Sequence, residues 1–193
     1  MSKLTRQKFF DKRKDVLLFA KNFVKNPLRN ASIIPSSVYA GRAMVKNIDF
    51  SNIRTVVELG PGTGVFTNEL IKRCLPGTKI ILIELEKSYI ENLKKLFGDK
   101  VVVENANAHV LDEILEKHKV SKLDLLISGL PFFEEVISKQ FIDTIKRHTD
   151  SGTIFRFFTY VPPVAKRVYI KLSIKKITFV LKNIPPLWIY GVN

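Results

Sequence analysis

The chain has 193 residues, of which 46% are hydrophobic, and it carries 32 basic against 18 acidic side chains. A chain of this length can bury one sizeable core, so one main domain is expected. Its single cysteine, Cys74, excludes an internal disulfide, and its three histidines show no metal-ligand spacing. No stretch approaches the roughly 18 apolar residues of a membrane-spanning helix. These features predict an intracellular protein without a bound metal, a secretion signal or a spanning segment.

The excess positive charge lies at the two ends of the chain. Residues 1–30 hold nine basic and two acidic side chains, residues 151–193 hold seven basic and none acidic, and the middle holds sixteen of each sign. Basic ends around a neutral body indicate contact with an anionic partner, either nucleic acid or a lipid surface. A general contribution to solubility is the alternative explanation.

The first 30 residues form a segment of their own, which we separate from a domain spanning residues 31–193. On a helical wheel the apolar side chains of residues 9–24 fall on one half and most lysines fall on the other. Such a basic amphipathic helix suits an anionic membrane interface. Packing of its apolar face on the domain is the alternative, because helices of soluble proteins share the pattern.

From residue 55 onward, strand candidates alternate with amphipathic stretches of helix length. The strand candidates are residues 55–59, 79–84, 101–104, 123–128 and 152–160, and the amphipathic stretches are residues 65–75, 87–97, 109–119 and 134–148. This alternation predicts an α/β fold with a doubly wound, mostly parallel sheet that binds ligands at the carboxyl ends of its strands. Residues 174–192 predict two more strands around a Pro-Pro turn, as an antiparallel C-terminal strand pair.

A glycine-rich loop, "ELGPGTGVFT", joins the first strand candidate to the first amphipathic stretch. A Walker loop requires Lys-Ser/Thr after its last glycine, to meet phosphates and magnesium, but Val65 and Phe66 follow Gly64. The dinucleotide fingerprint requires a glycine at position 65, where Val65 stands. Both kinds of phosphate-binding loop are therefore disfavoured.

The pattern that remains is Gly60, Gly62 and Gly64, with Glu58 before the loop and Glu84 at the end of the next strand. It resembles the S-adenosylmethionine (SAM) loop of the class I methyltransferases. The resemblance implies their Rossmann-like fold and SAM as the cofactor, with S-adenosylhomocysteine as the product. Glycines permit close backbone approach to a ligand, and a carboxylate such as Glu84 can accept both ribose hydroxyls. A solvated strand end is the alternative explanation for Glu84.

Two later stretches extend this resemblance. In "ANAHVL", Asn107 and Ala108 stand where the family often has an Asp-Ala pair that contacts adenine. "SGLPF" resembles the amine-binding motif of amino-methylating members, which implies that Ser128 and Gly129 hold the target amine and that Phe132 packs against it. A proline-terminated strand with a buried phenylalanine is the alternative explanation.

Five stretches that together span most of the chain resemble the bacterial phospholipid N-methyltransferases: "FVKNPLRNASIIPSS", "ELGPGTGVFT", "SGLPF", "FFTYVPP" and "NIPPLWIY". The resemblance implies methylation of phosphatidylethanolamine, and of its partly methylated forms towards phosphatidylcholine. It also implies a cytoplasmic monomer bound peripherally at the inner face of an anionic membrane. One departure is that Phe157 or Phe158 stands where a polar glutamine is expected.

The resemblance implies two sets of site residues. Acceptor or catalytic roles fall to Ser128, Gly129, Phe132, Tyr160 and Tyr39, and cofactor binding falls to Ser36, Ser37, Glu58, Gly60, Gly62, Thr63, Gly64, Glu84, Leu85, Asn107, Ala108 and Ser128. The main alternative function is that of an rRNA adenine N6-dimethyltransferase, whose loop is similar, whose amine motif is Asn-Leu-Pro-Tyr, and whose partner is nucleic acid. A module that binds SAM or a lipid surface without catalysis is a third possibility.

Overall fold

The computed structural model describes residues 36–130 and 138–192 of the protein. Its strands are β1 (Thr55–Leu59), β2 (Lys79–Glu84), β3 (Val102–Asn105), β4 (Leu125–Ser128), β5 (Ile154–Thr159), β6 (Lys175–Val180) and β7 (Leu187–Val192). They form one sheet in the order β3-β2-β1-β4-β5-β7-β6. The first five strands are parallel, and β7 pairs antiparallel with both β5 and β6. The predicted mostly parallel sheet with an antiparallel C-terminal strand pair is confirmed.

The helices of the described ranges cover both faces of this sheet. They are α1 (Val38–Met44), α2 (Val65–Arg73), α3 (Lys87–Phe97), α4 (Leu111–Lys117), α5 (Lys139–Asp150) and α6 (Pro162–Val168), with 3-10 turns at Gly98–Lys100 and Ala108–Val110. Apolar residues of α1, α2 and α3 pack with Val56 on one face, and those of α4, α5 and α6 pack with Val57 and Leu59 on the other. The sheet is therefore wound on both sides, as the alternation of elements predicts.

Several element boundaries differ from the prediction for identifiable reasons. The strand predicted over residues 123–128 begins at Leu125, and Asp124 before it is bonded to the start of β1: its amide donates to the Thr55 carbonyl at 3.2 Å, and its carboxylate accepts from the amides of Arg54 and Thr55 at 2.8 and 3.0 Å. The strand predicted over residues 152–160 begins at Ile154, after a turn in which Gly152 has φ of 92°. Asn105 extends β3 one residue beyond the predicted end.

Helices α1 and α6 are not among the predicted helices. Each has seven residues and, unlike the seven-residue α4, does not lie within a longer amphipathic stretch that shows a helical period. Helix α6 also opens on two prolines, which are compatible with the first turn of a helix but suggest a loop in the sequence. The helix predicted over residues 134–148 begins at Lys139 in the described part of the chain, where the Ser138 hydroxyl caps it by accepting from the Phe141 amide at 3.2 Å.

Carboxyl ends of the parallel strands meet at one edge of the sheet, which we term the carboxyl edge. The chain order reverses between β1 and β4, so this edge contains the switch point at which open α/β sheets bind ligands. The antiparallel pair also reaches this edge, because Thr159 at the end of β5 lies opposite Trp188, and Val180 lies opposite Leu187. The turn between β6 and β7 therefore lies at the carboxyl edge.

The N-terminal segment predicted over residues 1–30 lies outside the described residues, as do residues 31–35 of the predicted domain of residues 31–193. The division between the two and the amphipathic helix thus stay predictions. Within the described ranges, no helix has the length and apolar character needed to cross a bilayer.

Candidate active site

The glycine loop lies at the carboxyl edge, between β1 and α2. Gly60, Gly62 and Gly64 have φ angles of 65°, 53° and 80°, in the left-handed region that residues with a side chain rarely adopt. The Gly60 amide donates to the carbonyl of Ile83 at 2.9 Å, which joins the loop to β2. A Cβ atom on Gly62 would meet no atom within 4 Å, so the backbone there faces open space. That space is available to a ligand.

Gly64 has a different structural reason to lack a side chain. A Cβ atom there would lie 2.6 Å from the Phe97 ring and 3.2 Å from the Leu93 side chain, both in α3. The third glycine therefore permits close packing of the start of α2 against α3. Thr63, between Gly62 and Gly64, is exposed.

Glu84 ends β2 and is 8% exposed. Its Oε2 accepts a hydrogen bond from the Gly62 amide at 3.0 Å, and its Oε1 accepts from the amides of Leu85 and Glu86 at 2.9 and 3.0 Å. A carboxylate offers about four acceptor positions, so three of them are occupied by backbone. The predicted acceptance of two ribose hydroxyls therefore requires one of these amides to move. Glu84 holds the tip of the glycine loop in place.

Glu58 lies directly before the glycine loop and is fully buried in β1. Its Oε2 accepts a hydrogen bond from the Thr67 hydroxyl of α2 at 2.6 Å, and its Oε1 has no hydrogen-bond partner among the described residues. Burial raises the pKa of Glu58 from 4.5 to about 8; the bond from Thr67 opposes this shift and the nearby Glu84 adds to it. Glu58 is thus mostly protonated at neutral pH. Thr67, its partner, was not among the predicted site residues.

Replacing Glu58 by glutamine is expected to remove a pH dependence of stability. Because the pKa is raised in the folded protein, the folded state keeps a proton that the unfolded state releases between pH 4.5 and about 8. The contribution to stability is therefore complete below pH 4.5 and is lost as the pH rises through about 8. Melting temperatures followed by circular dichroism across this window should fall more steeply for the wild type than for Glu58→Gln.

The control for this comparison is Glu91→Gln, which changes an exposed carboxylate on α3. This variant should keep the pH profile of the wild type. Parallel profiles for the wild type and Glu58→Gln would contradict the assignment of the raised pKa to Glu58.

The predicted acceptor segment lies directly against the glycine loop. The Gly129 amide, just after β4, donates to the carbonyl of Leu59 at 2.8 Å, and a Cβ atom on Gly129 would lie only 2.5 Å from the carbonyl oxygen of Gly60. Ser128 is 2% exposed, and its hydroxyl accepts from the Leu130 amide at 3.4 Å. Phe132, the aromatic residue of the predicted motif, lies outside the described residues.

Asn183, in the turn between β6 and β7, joins three parts of the carboxyl edge. It is 1% exposed, and its Oδ1 accepts from the Ser37 amide at 2.8 Å, while its Nδ2 donates to the Pro185 carbonyl at 2.8 Å. Burial raises the pKa of Tyr160, and a hydrogen bond with Asn183 acts in the opposite direction. Two predicted residues, Ser37 and Tyr160, are thus brought together by a residue that was not predicted. The signals for it in the sequence are a polar residue before the Pro-Pro turn and its place at the start of "NIPPLWIY", one of the stretches that resemble the phospholipid N-methyltransferases.

The remaining predicted residues lie at the ends of this arrangement. The Asn107 oxygen, expected to face adenine, accepts from the His109 amide at 3.0 Å and lies 2.6 Å from the His109 ring nitrogen Nδ1. Ala108 beside it is buried, and Leu85 after β2 is exposed. Tyr39 is 49% exposed on α1, with the Lys182 ammonium 4.8 Å from its ring centre, so it does not line a closed pocket. Ser36 is half-buried before α1.

A family model for ribosomal RNA adenine dimethylase matches residues 18–129 of the chain. An ornithine lipid N-methyltransferase of Singulisphaera acidiphila is 31% identical over 183 residues, which cover 92% of this chain and 95% of that protein. A ribosomal RNA small subunit methyltransferase A of Cupriavidus metallidurans is 35% identical over 92 residues, which cover 48% of this chain and 30% of that protein. The chain thus spans nearly all of the lipid enzyme and less than a third of the ribosomal RNA enzyme.

Solved structures show the same fold. A SAM-dependent methyltransferase of Aquifex aeolicus superposes with a TM-score of 0.57 at 14% identity, over 92% of this chain and 97% of that one. At this identity the likeness concerns the fold alone, and it confirms the class I, Rossmann-like architecture predicted from the sequence.

The residues at the carboxyl edge fit SAM, which has no phosphate group. The open space in front of Gly62 admits a ligand close to the backbone, and the neighbouring Glu84 carboxylate, which accepts from three backbone amides, has about one acceptor position left for a hydroxyl group. No group of His, Cys, Asp and Glu side chains within the described ranges has a metal-binding arrangement. The chain belongs to the ribosomal RNA adenine dimethylase family and is a SAM-dependent methyltransferase.

Proposed function

We propose that the protein methylates the headgroup amine of phosphatidylethanolamine, and its partly methylated forms towards phosphatidylcholine, as a monomer bound to the cytoplasmic face of an anionic membrane. The observation that carries this proposal is the extent of the likeness to the ornithine lipid N-methyltransferase, which covers 92% of this chain. Ornithine lipid and phosphatidylethanolamine share a primary amine as the reactive group. A lipid amine is therefore the acceptor class that we infer.

The family match covers the cofactor-binding half of the site and only the beginning of its acceptor half. The model for ribosomal RNA adenine dimethylase ends at residue 129, so it includes the glycine loop, Glu84 and the first two acceptor residues, Ser128 and Gly129. It does not include α5, β5, α6 or the β6–β7 turn with Asn183. We place the acceptor on the side of the carboxyl edge that these later elements form. For these later elements, the likeness to the ornithine lipid N-methyltransferase supports the assignment of a lipid acceptor.

Residues of this acceptor side have the properties needed to orient an amine. SAM, when bound, supplies a methyl group on a positively charged sulfonium. The Ser128 hydroxyl, at the end of β4, and the Tyr160 hydroxyl, held by Asn183, can accept hydrogen bonds from the amine. An alkylammonium, with a usual pKa of about 10.4, must lose a proton before it reacts, and a site of low water content favours that loss. Positioning then contributes most of the rate enhancement.

The second candidate function is methylation of adenine N6 in ribosomal RNA. It is favoured by the family model, which matches more than half of the chain, and by the high content of basic residues. The acceptor motif argues against it, since the chain has Ser-Gly-Leu-Pro-Phe where the RNA enzymes carry Asn-Leu-Pro-Tyr.

The test supplies the purified full chain with SAM labelled in the methyl group. Separate reactions contain vesicles of phosphatidylethanolamine and phosphatidylglycerol, vesicles in which ornithine lipid replaces phosphatidylethanolamine, and deproteinised ribosomal RNA. We expect label in phosphatidylethanolamine, with mono-, di- and trimethyl products separated by chromatography. Label only in ornithine lipid would overturn the choice of lipid but not the lipid class. Label only in RNA would overturn the proposed function.

A further inference from the structure

Large apolar side chains are exposed to solvent along the acceptor side of the carboxyl edge. They are Val38, Tyr39, Val161, Leu181 and Ile184, between 47% and 72% exposed. We term these five residues the apolar rim. Single exposed apolar residues are ordinary, but a group of them beside a candidate active site indicates a binding surface.

Hydrogen bonds at the carboxyl edge bring the members of the apolar rim together. Asn183 stands between Leu181 and Ile184 and accepts from the amide of Ser37, the residue before Val38. The ammonium of Lys182 lies 4.8 Å from the ring centre of Tyr39. Val161 directly follows Tyr160, which shares a hydrogen bond with Asn183. The rim is thus built from three separate parts of the chain.

The β6–β7 turn holds its two apolar residues outward. Asn183 is buried and donates to the Pro185 carbonyl at 2.8 Å, which fixes the turn, while the neighbouring Leu181 and Ile184 are 72% and 56% exposed. Turns are usually formed by polar or small residues, which tolerate exposure to water. Two large aliphatic side chains at the tip of an ordered turn are explained better by an apolar occupant than by water.

Charge around the apolar rim restricts that occupant. Residues 36–48, 159–168 and 180–187, which contain the rim, hold five basic side chains and no acidic one. On α1, Arg42 lies four residues after Val38 and is likewise exposed. Nucleic acid would meet the basic side chains but leave the aliphatic ones in water, and a second copy of this surface would bring like charges together. An anionic lipid interface satisfies both the apolar and the basic side chains.

We propose that the apolar rim inserts into the interface of an anionic bilayer, as a lipid-contact surface separate from the segment of residues 1–30. This surface presents the acceptor side of the carboxyl edge, with Tyr160 and Ser128, to the level of the headgroups. The inference rests on the proposed function, because only a lipid substrate requires this edge to face a membrane.

The test compares two double variants of the full chain with the same change in composition. Leu181→Ser with Ile184→Ser removes the tip of the rim. Leu96→Ser with Ile170→Ser removes a leucine and an isoleucine that are 58% and 80% exposed elsewhere. Leu96 lies on α3, and Ile170 lies before β6, which begins opposite Gly191 at the other edge of the sheet. Binding is measured by flotation with vesicles of phosphatidylglycerol and phosphatidylethanolamine.

We expect the rim variant to bind these vesicles at least about tenfold more weakly than the wild type, because two large aliphatic side chains lose their apolar environment. The control variant should bind within about twofold of the wild type, since surface changes elsewhere have small effects. Without vesicles, both variants should melt at the wild-type temperature, because neither pair packs in the core.

Three results would overturn the proposal: unchanged binding by the rim variant, an equal loss in the control variant, or a lower melting temperature of the rim variant alone. The last would show that Leu181 and Ile184 are covered by protein. Flotation requires no methyl transfer, so it is independent of the proposed function. If the protein binds vesicles through the apolar rim but methylates no lipid, the proposed function is refuted and the lipid-contact surface is not. If the protein methylates a lipid and the rim variant binds vesicles like the wild type, the lipid-contact surface is refuted and the proposed function is not.

Discussion

Glu84→Gln is expected to weaken SAM binding by roughly 100-fold while leaving the protein folded. The carboxylate accepts from Gly62 through Oε2 and from Leu85 and Glu86 through Oε1. The single oxygen of a glutamine can accept from the amides of Leu85 and Glu86. Its NH2 group then faces the Gly62 amide, so two hydrogen-bond donors oppose each other and no bond forms. A hydrogen bond to a charged group contributes about 1.5–3 kcal/mol. Loss of the bond from the Gly62 amide, together with a weaker bond to the ribose, therefore accounts for the roughly 100-fold loss of affinity.

Isothermal titration calorimetry with SAM measures this change directly. The control is Glu91→Gln, which makes the same substitution at an exposed position on α3 and should bind SAM like the wild type. Melting temperatures of both variants distinguish a local effect from unfolding. Affinity within a few-fold of the wild type for Glu84→Gln would show that Glu84 does not hold the donor site.

Gly129→Ala is expected to lower kcat/KM by at least about 100-fold, because the added methyl group separates the two halves of the site. Its Cβ would lie 2.5 Å from the carbonyl oxygen of Gly60 and 3.4 Å from that of Leu59, and both are backbone atoms that cannot rotate away. Either the glycine loop or the acceptor segment must shift. Displacements of about 1 Å between reacting groups are sufficient for rate losses of this size.

Steady-state methyl transfer to the lipid that the wild type accepts provides the measurement. Gly152→Ala is the control, because it introduces the same side chain at a turn before β5, at the other edge of the sheet, where no atom lies within 4 Å. Its φ of 92° makes alanine there cost about 1 kcal/mol of stability without a loss of activity. Full activity of Gly129→Ala would contradict the close approach of the two segments.

Sequence patterns predicted the elements at the centre of the sheet well, because the residue pattern of each element favours the same structure that the fold requires there. Strands β1 and β2 and helix α3 have the predicted bounds, since each is an apolar or amphipathic run with charged residues or glycine at or next to its ends. The glycine loop was also predictable, because few ligands require bare backbone between a strand and a helix. SAM as the cofactor was expected from the resemblance of that loop to the SAM loop of the class I methyltransferases, and it is confirmed by the family.

Features that depend on contacts between distant residues could not be predicted. The part played by Asn183 depends on Ser37, which is 146 residues away, and nothing local marks the pairing. Arg156 is another example: it is a charged residue in a strand, yet it is 1% exposed and donates to the carbonyls of Phe155 and Val192. It fits because Gly191 opposite leaves room for it. Of Phe157 and Phe158, one of which stands where a polar glutamine was expected, Phe157 is part of the core and Phe158 is partly buried against it.

The contact between Asn183 and Ser37 also has a consequence for the order of assembly. Closing a loop of 146 residues costs more entropy than forming the neighbouring pairs of β1, β2 and β4. We therefore expect the docking of the β6–β7 turn on the start of α1 to form after these strand pairs, while the glycine loop is anchored between β1 and β2 by the bond from the Gly60 amide to the Ile83 carbonyl. Transient opening of the β6–β7 hairpin would let a bulky acceptor enter and leave without disturbing the donor side.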